Sequence, residues 1–250
     1  MATSRTTTAA PTLRARRRAA TTEQIKALAR HQLAEHGPGG ISLRAIAREI
    51  GTAPSALYRY FPSQSDLISA LCVDAYDSAA EALAAARVSA PPGDHAQQWA
   101  AVCHAWRRWS LDHRADFALI FGTPQPGYQA SGEATGPAAA RFTQIPLEVY
   151  SAAVAVGAAD PARTQIPPSL HPGPLWQTLA DDRSDGDPRL ASIILSAWTS
   201  VLGFLSAEIF GSLTELISDT GALYQAHLHA VMLGMGFQPE LAEQAVTSQT

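Results

Sequence analysis

Apolar residues recur every three to four positions along most of the chain, a period that predicts amphipathic α-helices. The first such run lies in residues 22–36, where Ile25, Leu28 and Leu33 fall on one stripe. The glycine-rich segment 37–40 then interrupts the pattern, so the first helix is expected to end there.

Two short helical patterns follow, separated by a tight turn. Ser42 is a favourable N-cap for the first, Gly51 ends it, and Pro54 suits the first turn of the second. Ser63 and Asp66 then form a capping box before a long alanine-rich helix that extends to about residue 87. A helix, a glycine-containing turn and a second helix are typical of a helix-turn-helix, whose second helix enters the DNA major groove.

The remaining pattern also predicts helices, so the fold class is all-α. The periodicity indicates helices over about 94–113, 115–121, 136–156, 188–210 and 213–235. Pro146 is expected to kink the third of these. Prolines and glycines interrupt residues 157–189, which also carry an acidic cluster, so a long loop is expected there.

Composition excludes several classes of protein. The chain has 250 residues, 46% of them hydrophobic and 16% charged, which allows a buried core. The longest apolar stretch, residues 191–207, is interrupted by serines and a threonine, and the N-terminus lacks an apolar run, so neither a membrane span nor export is supported. Cys72 and Cys103 are expected to be reduced core thiols, and the protein is predicted to be cytoplasmic.

Charge is distributed very unevenly. Residues 1–63 contain ten Arg or Lys against three Glu, whereas residues 64–250 contain eight basic and nineteen acidic residues. Such a chain attracts a polyanion to one end and repels it from the other, which favours nucleic-acid binding. Part of the basic excess lies in residues 1–20, predicted to be a disordered basic arm. A merely solubilising tail would account for the arginines of that arm but not for Arg44, Arg48 and Arg59.

Residues 41–71, ISLRAIAREIGTAPSALYRYFPSQSDLISAL, resemble the DNA-binding domain of the TetR family of bacterial transcriptional regulators. Carried over by position, the resemblance implies DNA contacts from the supporting helix, the turn and the recognition helix. These residues are Arg44, Thr52, Pro54, Ser55, Tyr58, Arg59, Tyr60 and Gln64. Gln64 departs from the family, which most often has Lys there, so a charged phosphate contact becomes a neutral amide. The basic residues from Arg14 to Arg18 are expected to compensate for that contact, so deleting residues 1–18 should weaken DNA binding and flatten its salt dependence.

The resemblance implies a homodimer that binds a palindromic double-stranded DNA operator and acts as a repressor until a small molecule binds. It implies a helix-turn-helix domain over residues 21–66 and an effector-binding and dimerisation domain over residues 67–250. The last two long helices, apolar on most sides, would form the dimer interface. Residues 106–128 and 197–211 also resemble a C-terminal subclass with a W-x-x-x-H-G motif, although Leu202 stands where the His is expected.

Most of the aromatic residues lie in the C-terminal half, which predicts a pocket for an apolar or aromatic effector. Its candidate residues are Trp99, Cys103, His104, Trp106, Phe117, Phe121, Phe142 and Trp198. An aromatic stripe is equally typical of an ordinary core, so core packing stays open for each of them.

No catalytic, metal or cofactor motif is apparent in the sequence, so an enzyme is not expected. His227 and His229 are two residues apart and would point to different sides of a helix. Three alternatives stay open: a nonspecific DNA-binding protein, an activator, and a ligand-binding protein that has lost DNA binding.

Overall fold

The computed structural model of the protein describes residues 12–122, 128, 132–164, 188–213 and 215–248. These residues form an all-α fold of ten helices with two 3-10 turns and one isolated β-bridge. The helices are α1 (Leu13–His36), α2 (Leu43–Ile50), α3 (Pro54–Leu57), α4 (Gln64–Ser89), α5 (His95–Asp112), α6 (Arg114–Phe121), α7 (Gly132–Ala155), α8 (Pro188–Ile209), α9 (Thr220–Gly234) and α10 (Pro239–Thr247).

The predicted capping residues begin the helices that they were expected to begin. The Ser42 hydroxyl accepts a hydrogen bond from the Ala45 amide at 3.3 Å. The Ser63 hydroxyl accepts one from the Asp66 amide at 3.1 Å. Each cap satisfies one of the amides that a helix leaves without a partner in its first turn. Gly51 ends α2 at φ 75°, a left-handed conformation that glycine adopts without strain.

Several predicted boundaries are wrong. α1 begins at Leu13, so residues 13–20 of the predicted disordered arm are helical; residues 1–11 lie outside the described residues. α7 begins at Gly132, before the expected start at Gly136. α9 begins at Thr220 rather than at residue 213, because Asp219 caps it through the Ala222 amide at 2.9 Å. The pattern also missed α10, and most of the predicted loop, residues 165–187, lies outside the described residues.

Two hydrophobic cores share one helix. The first is built from α1, α2 and α3 and includes Leu67 to Cys72 of α4, beyond the predicted domain end at residue 66. The second is built mainly from α5 and α7 to α10 and includes Ala75 to Leu83 of the same helix. A displacement of α4 therefore affects both cores.

Helix α8 packs against α5, α7 and α9. Within the part of the chain that the structure describes, its stretch Arg189–Ile209 alone is long and apolar enough to cross a membrane by length and composition. Ile193, Val201 and Leu205 are nevertheless fully buried in the second core. α8 therefore packs into the second core along one side.

Candidate nucleic-acid interface and effector site

The helix-turn-helix is fixed by its own small core. Leu57 of α3 and Phe61 just after it are 1% and 7% exposed. The Thr52 amide donates to the Ala47 carbonyl at 2.9 Å, which ties the turn to α2. α3 is a single turn, Pro54–Leu57, that continues in turn conformation to Tyr60. Because Leu57 and Phe61 bury one side of α3 and the turn after it, the other side faces solvent and can contact a ligand.

The structure places the predicted DNA-contacting residues on the outside of this element. Tyr58 is 43% exposed, whereas Thr52 and Tyr60 are half-buried. The exposed members of the set are Arg44, Pro54, Ser55, Tyr58, Arg59 and Gln64. Hydroxyl, ring, amide and guanidinium groups of this kind are those that contact bases and phosphates in DNA complexes.

The arginines of this element carry uncompensated charge. Among the residues that the structure describes, neither Arg44, Arg48 nor Arg59 forms an ion pair with a carboxylate. Other arginines are paired with carboxylates, as where Arg107 donates to both carboxylate oxygens of Glu208 at 2.9 and 2.5 Å. Unpaired guanidinium groups at the surface favour phosphate binding.

Tyr60 has a different environment from Tyr58. Its ring packs against the first core, and the Arg18 guanidinium lies over it, 5.0 Å from the ring centroid. Arg18 also donates to the Arg59 carbonyl at 3.1 Å. The sequence analysis placed Arg18 in the basic arm rather than on a helix, because it began α1 at residue 22, too late in the chain. A usable signal was present: Thr12 is a good N-cap, and residues 13–36 contain neither Gly nor Pro.

Five of the predicted effector residues form one cluster of rings. Trp106 stacks on Trp198 at 4.1 Å between centroids, with an interplanar angle of 24°. Phe142 meets both tryptophans edge-on, at 5.5 and 4.9 Å. Phe121 contacts Trp106, Phe142 and Phe117. Tyr76 of α4 joins the cluster through Phe121 and Phe142, each at 6.0 Å, although the sequence reasoning did not select it.

The other three predicted effector residues make different contacts. Trp99 contacts Tyr150 and Phe237 at 6.2 and 6.3 Å. The Cys103 carbonyl accepts from the Tyr224 hydroxyl at 2.7 Å, and the His104 ring meets Tyr224 edge-on at 5.4 Å. The buried Cys103 thiol has a raised pKa because burial disfavours the thiolate. These three residues therefore contact other rings than those of the Trp106 cluster.

Several buried polar atoms near these rings lack a hydrogen-bond partner within the described part of the chain. They are Trp99 Nε1, His104 Nε2, Trp106 Nε1, Ser110 Oγ and Asp116 Oδ1. An unpaired buried polar group costs about 1–3 kcal/mol, so each calls for an explanation such as a bound molecule. Trp106 Nε1 is the one that belongs to the ring cluster.

His104 makes the stability of the protein depend on pH. Burial, and then the charges of Arg107 and Arg108, lower its pKa from 6.5 to about 4. The folded state therefore holds His104 neutral at pH values where the unfolded chain protonates it. We expect its contribution to stability to be complete above pH 6.5 and to be lost as the pH falls towards 4, at a cost of about 1–2 kcal/mol after allowing for partial solvent screening.

Chemical denaturation of the wild type and His104→Phe at pH 7 and pH 4.5 measures this effect. The variant cannot titrate at position 104, so its free energy of unfolding should fall less over this pH range. Equal losses in the two proteins would contradict the assigned role of His104.

Ion pairs join α1 to α4 near the point where the two cores adjoin. Asp74 of α4 accepts from Lys26 at 3.1 Å and from Arg30 at 2.5 Å, both on α1. Asp116 of α6 is buried near the same group, and burial raises its pKa while the charge of Arg30 opposes that shift. The Ser69 and Tyr128 hydroxyls lie 3.1 Å apart. Polar groups of α1, α4 and α6 therefore meet where the two cores adjoin.

The described residues bring together no group of three or more His, Cys, Asp or Glu that could hold a metal ion. His227 contacts Phe204 and lies 3.4 Å from the Ser200 hydroxyl. The acidic cluster at residues 181–187 lies outside the described residues.

Two family descriptions match the chain. Residues 25–71 match "Bacterial regulatory proteins, tetR family", and residues 99–231 match "Tetracyclin repressor-like, C-terminal domain". Neither match tests the W-x-x-x-H-G subclass, which stays a prediction.

Named relatives agree with these matches. The chain is 32% identical to the HTH-type transcriptional regulators Rv1816 of Mycobacterium tuberculosis and Mb1846 of Mycobacterium bovis over 213 residues, 82% of this chain and 89% of each relative. The crystal structure of SCO4313, described as a regulatory protein, has a TM-score of 0.69 at 32% identity and covers 88% of this chain and 99% of its own. RolR in complex with resorcinol has a TM-score of 0.56 at 18% identity and covers 93% and 96%. At that identity RolR shares the fold alone.

Proposed function

Because the chain belongs to the TetR family of DNA-binding transcriptional regulators, we propose that it is a cytoplasmic repressor whose homodimer binds a palindromic operator and leaves it when an effector binds. The single observation that carries the proposal is the helix-turn-helix whose outer side presents Arg44, Tyr58 and Arg59, with neither arginine paired to a carboxylate among the described residues. Its charge is opposite to that of the acidic remainder of the chain, so DNA approaches this side.

The outer faces of α8 and α9 support the dimer. The exposed positions of α8 include Ser196, Thr199, Ser200 and Gly203, which are small and uncharged. Those of α9 are Ala222, Ala226, Ala230, Leu233 and Gly234. α9 contains no Lys, Arg, Asp or Glu, which is unusual for a solvent-facing helix. Small residues allow helices to approach closely, and a two-fold axis would bring the same faces of two protomers together.

Ala226→Arg is expected to convert the dimer into a monomer. The substitution would bury two unpaired charges across the two-fold axis, and the monomer would lose operator affinity because it reads only one half-site. Analytical ultracentrifugation and DNA-binding titration measure both effects. The matched control is Val88→Arg at the end of α4, where the side chain is 83% exposed. A dimer that survives Ala226→Arg unchanged would exclude this interface.

An aromatic effector with a hydrogen-bond acceptor fits the ring cluster around Trp106. The stacked and edge-on rings provide an apolar environment, and Trp106 Nε1 supplies an unused donor. The fold accommodates such a compound in at least one protein, since RolR is solved with resorcinol. The alternative role of the cluster is ordinary core packing. A thermal-shift screen of aromatic compounds distinguishes the two roles, because only a binding site lets a compound raise the melting temperature.

Helix α4 supplies the connection between effector and operator. Tyr76 of α4 contacts the ring cluster, and four to nine residues earlier the same helix packs in the first core. The two recognition helices of a dimer must lie about 34 Å apart to enter successive major grooves. An effector that binds more tightly when α4 is in another position would therefore weaken operator binding. The loss in operator binding free energy cannot exceed the difference between the effector's binding free energies for the two positions of α4.

Competition binding tests the proposal as a whole. Fluorescence anisotropy is measured with the DNA upstream of the protein's own gene, against random-sequence competitor. A specific regulator binds its site about 10³ to 10⁷ times more tightly than random DNA. Equal affinity for both would indicate the nonspecific binder, and no binding to either would indicate a protein without DNA-binding activity. An activator would pass this test and then raise transcription from the bound promoter.

A further inference from the structure

A groove at the edge of the helix-turn-helix is lined by four arginines. It lies between the first two turns of α1 and the end of the recognition element, which is α3 with the turn that follows it (residues 54–60). Its volume is about 460 Å³. Arg14, Arg17, Arg18 and Arg59 line it together with Leu13 and Tyr60. Three of these arginines lie on α1, which precedes the two helices of the helix-turn-helix, so the DNA contacts assigned to α2 and α3 do not include them.

Arg18 holds the two sides of the groove together. Its guanidinium donates to the Arg59 carbonyl at 3.1 Å and lies over the Tyr60 ring, 5.0 Å from the centroid. A planar guanidinium can face the ring while its edge donates to the carbonyl, a geometry that the compact ammonium of a lysine reproduces less well. Arg18 is therefore a positioning residue, which fixes the start of α1 beside the element that carries Tyr58.

Arg14 and Arg17 remain available for a partner. Both are exposed, and neither forms an ion pair with a carboxylate in the described part of the chain. They are three residues apart on one helix, which makes them surface neighbours about 5–6 Å apart at Cβ. Two such charges beside Arg59 suit consecutive anionic groups along one strand, and the groove is continuous with the recognition element.

We propose that this groove binds the sugar-phosphate backbone of operator DNA beside the base pairs that the recognition element reads. The inference rests on the proposed function and extends it, because it assigns a second DNA-contacting surface to each protomer. The groove adds affinity and salt dependence but little sequence preference, since phosphates carry no sequence information directly.

The salt dependence of Arg14→Ala/Arg17→Ala tests the groove. The probe is the duplex that the wild type selects from a random pool, titrated at several salt concentrations. Each phosphate contact contributes about 0.9 to the slope of log affinity against log salt. Loss of two contacts in each protomer should flatten the slope by about 3 to 4 and weaken binding about 100-fold at 0.15 M salt.

The matched control is Arg108→Ala/Arg163→Ala, which removes two exposed arginines from the body of the protein. Its slope and affinity should equal those of the wild type. If the groove variant matches this control while the wild type still selects an operator, the groove proposal is overturned and the proposed function stands. If the wild type selects no sequence, the proposed function itself fails.

Arg18→Lys separates positioning from charge. The variant keeps the positive charge but loses the planar guanidinium that faces the Tyr60 ring while it donates to the Arg59 carbonyl, so the start of α1 is held less firmly. We expect a several-fold weaker affinity and faster amide hydrogen exchange over residues 13–20, with helical content otherwise preserved. Unchanged exchange and affinity would contradict the positioning role.

Discussion

The double variant Arg44→Ala/Tyr58→Ala is expected to lose operator binding at physiological salt. A dimer would lose four contacts, and single contacts to bases or phosphates are worth about 1–3 kcal/mol each. Both side chains are exposed and neither belongs to the first core, so their loss should not unfold the domain. Circular dichroism and sedimentation should therefore report an unchanged helical content and an unchanged dimer.

Two further variants serve as controls for this result. Arg108→Ala removes an equally exposed arginine from α5 and should bind the operator as the wild type does. Tyr58→Phe keeps the ring and removes the hydroxyl, so its affinity separates a hydrogen bond to phosphate from an apolar contact with a base. Full operator affinity in the double variant would refute the assignment of these residues.

Phe142→Ala is expected to lower the free energy of unfolding by about 3–5 kcal/mol. Phe142 is 1% exposed and contacts Tyr76, Trp106, Phe121 and Trp198, so its removal opens a cavity inside the ring cluster. Chemical denaturation measures the loss. The matched control is Phe210→Ala, whose ring is 55% exposed and should cost less than about 1 kcal/mol.

A small loss for Phe142→Ala would mean that the cluster repacks easily around a missing ring. In that case the rings would not form a rigid unit, and the connection from Trp106 through Tyr76 to α4 would lose its physical basis. A large loss that an aromatic compound restores would instead favour a binding site at the cluster.

Local signals predicted the helix-turn-helix well. Ser42, Gly51 and the pair Ser63 and Asp66 act within one helical turn of themselves, so the sequence around them is sufficient to place the ends of α2 and the start of α4. The exposed side of the element followed from the spacing of its buried residues, such as Leu57 and Phe61.

Other boundaries depend on contacts that the local pattern does not contain. Gly136 and Pro137 predict a helix start, yet α7 continues through both. The pairing of Trp106 with Trp198 joins residues 92 positions apart, and Arg18 meets Arg59 across 41 positions. Such contacts arise from the packing of distant helices, so composition predicted the aromatic residues but not which of them meet.

Selection of bound sequences from a random DNA pool tests the central claim most directly. A symmetric dimer that reads DNA through Arg44 and Tyr58 should enrich two inverted half-sites whose centres are about one helical turn apart. The Arg44→Ala/Tyr58→Ala variant should enrich none under the same conditions. A wild-type pool that remains random, or one in which both proteins enrich the same sequence, would contradict the account.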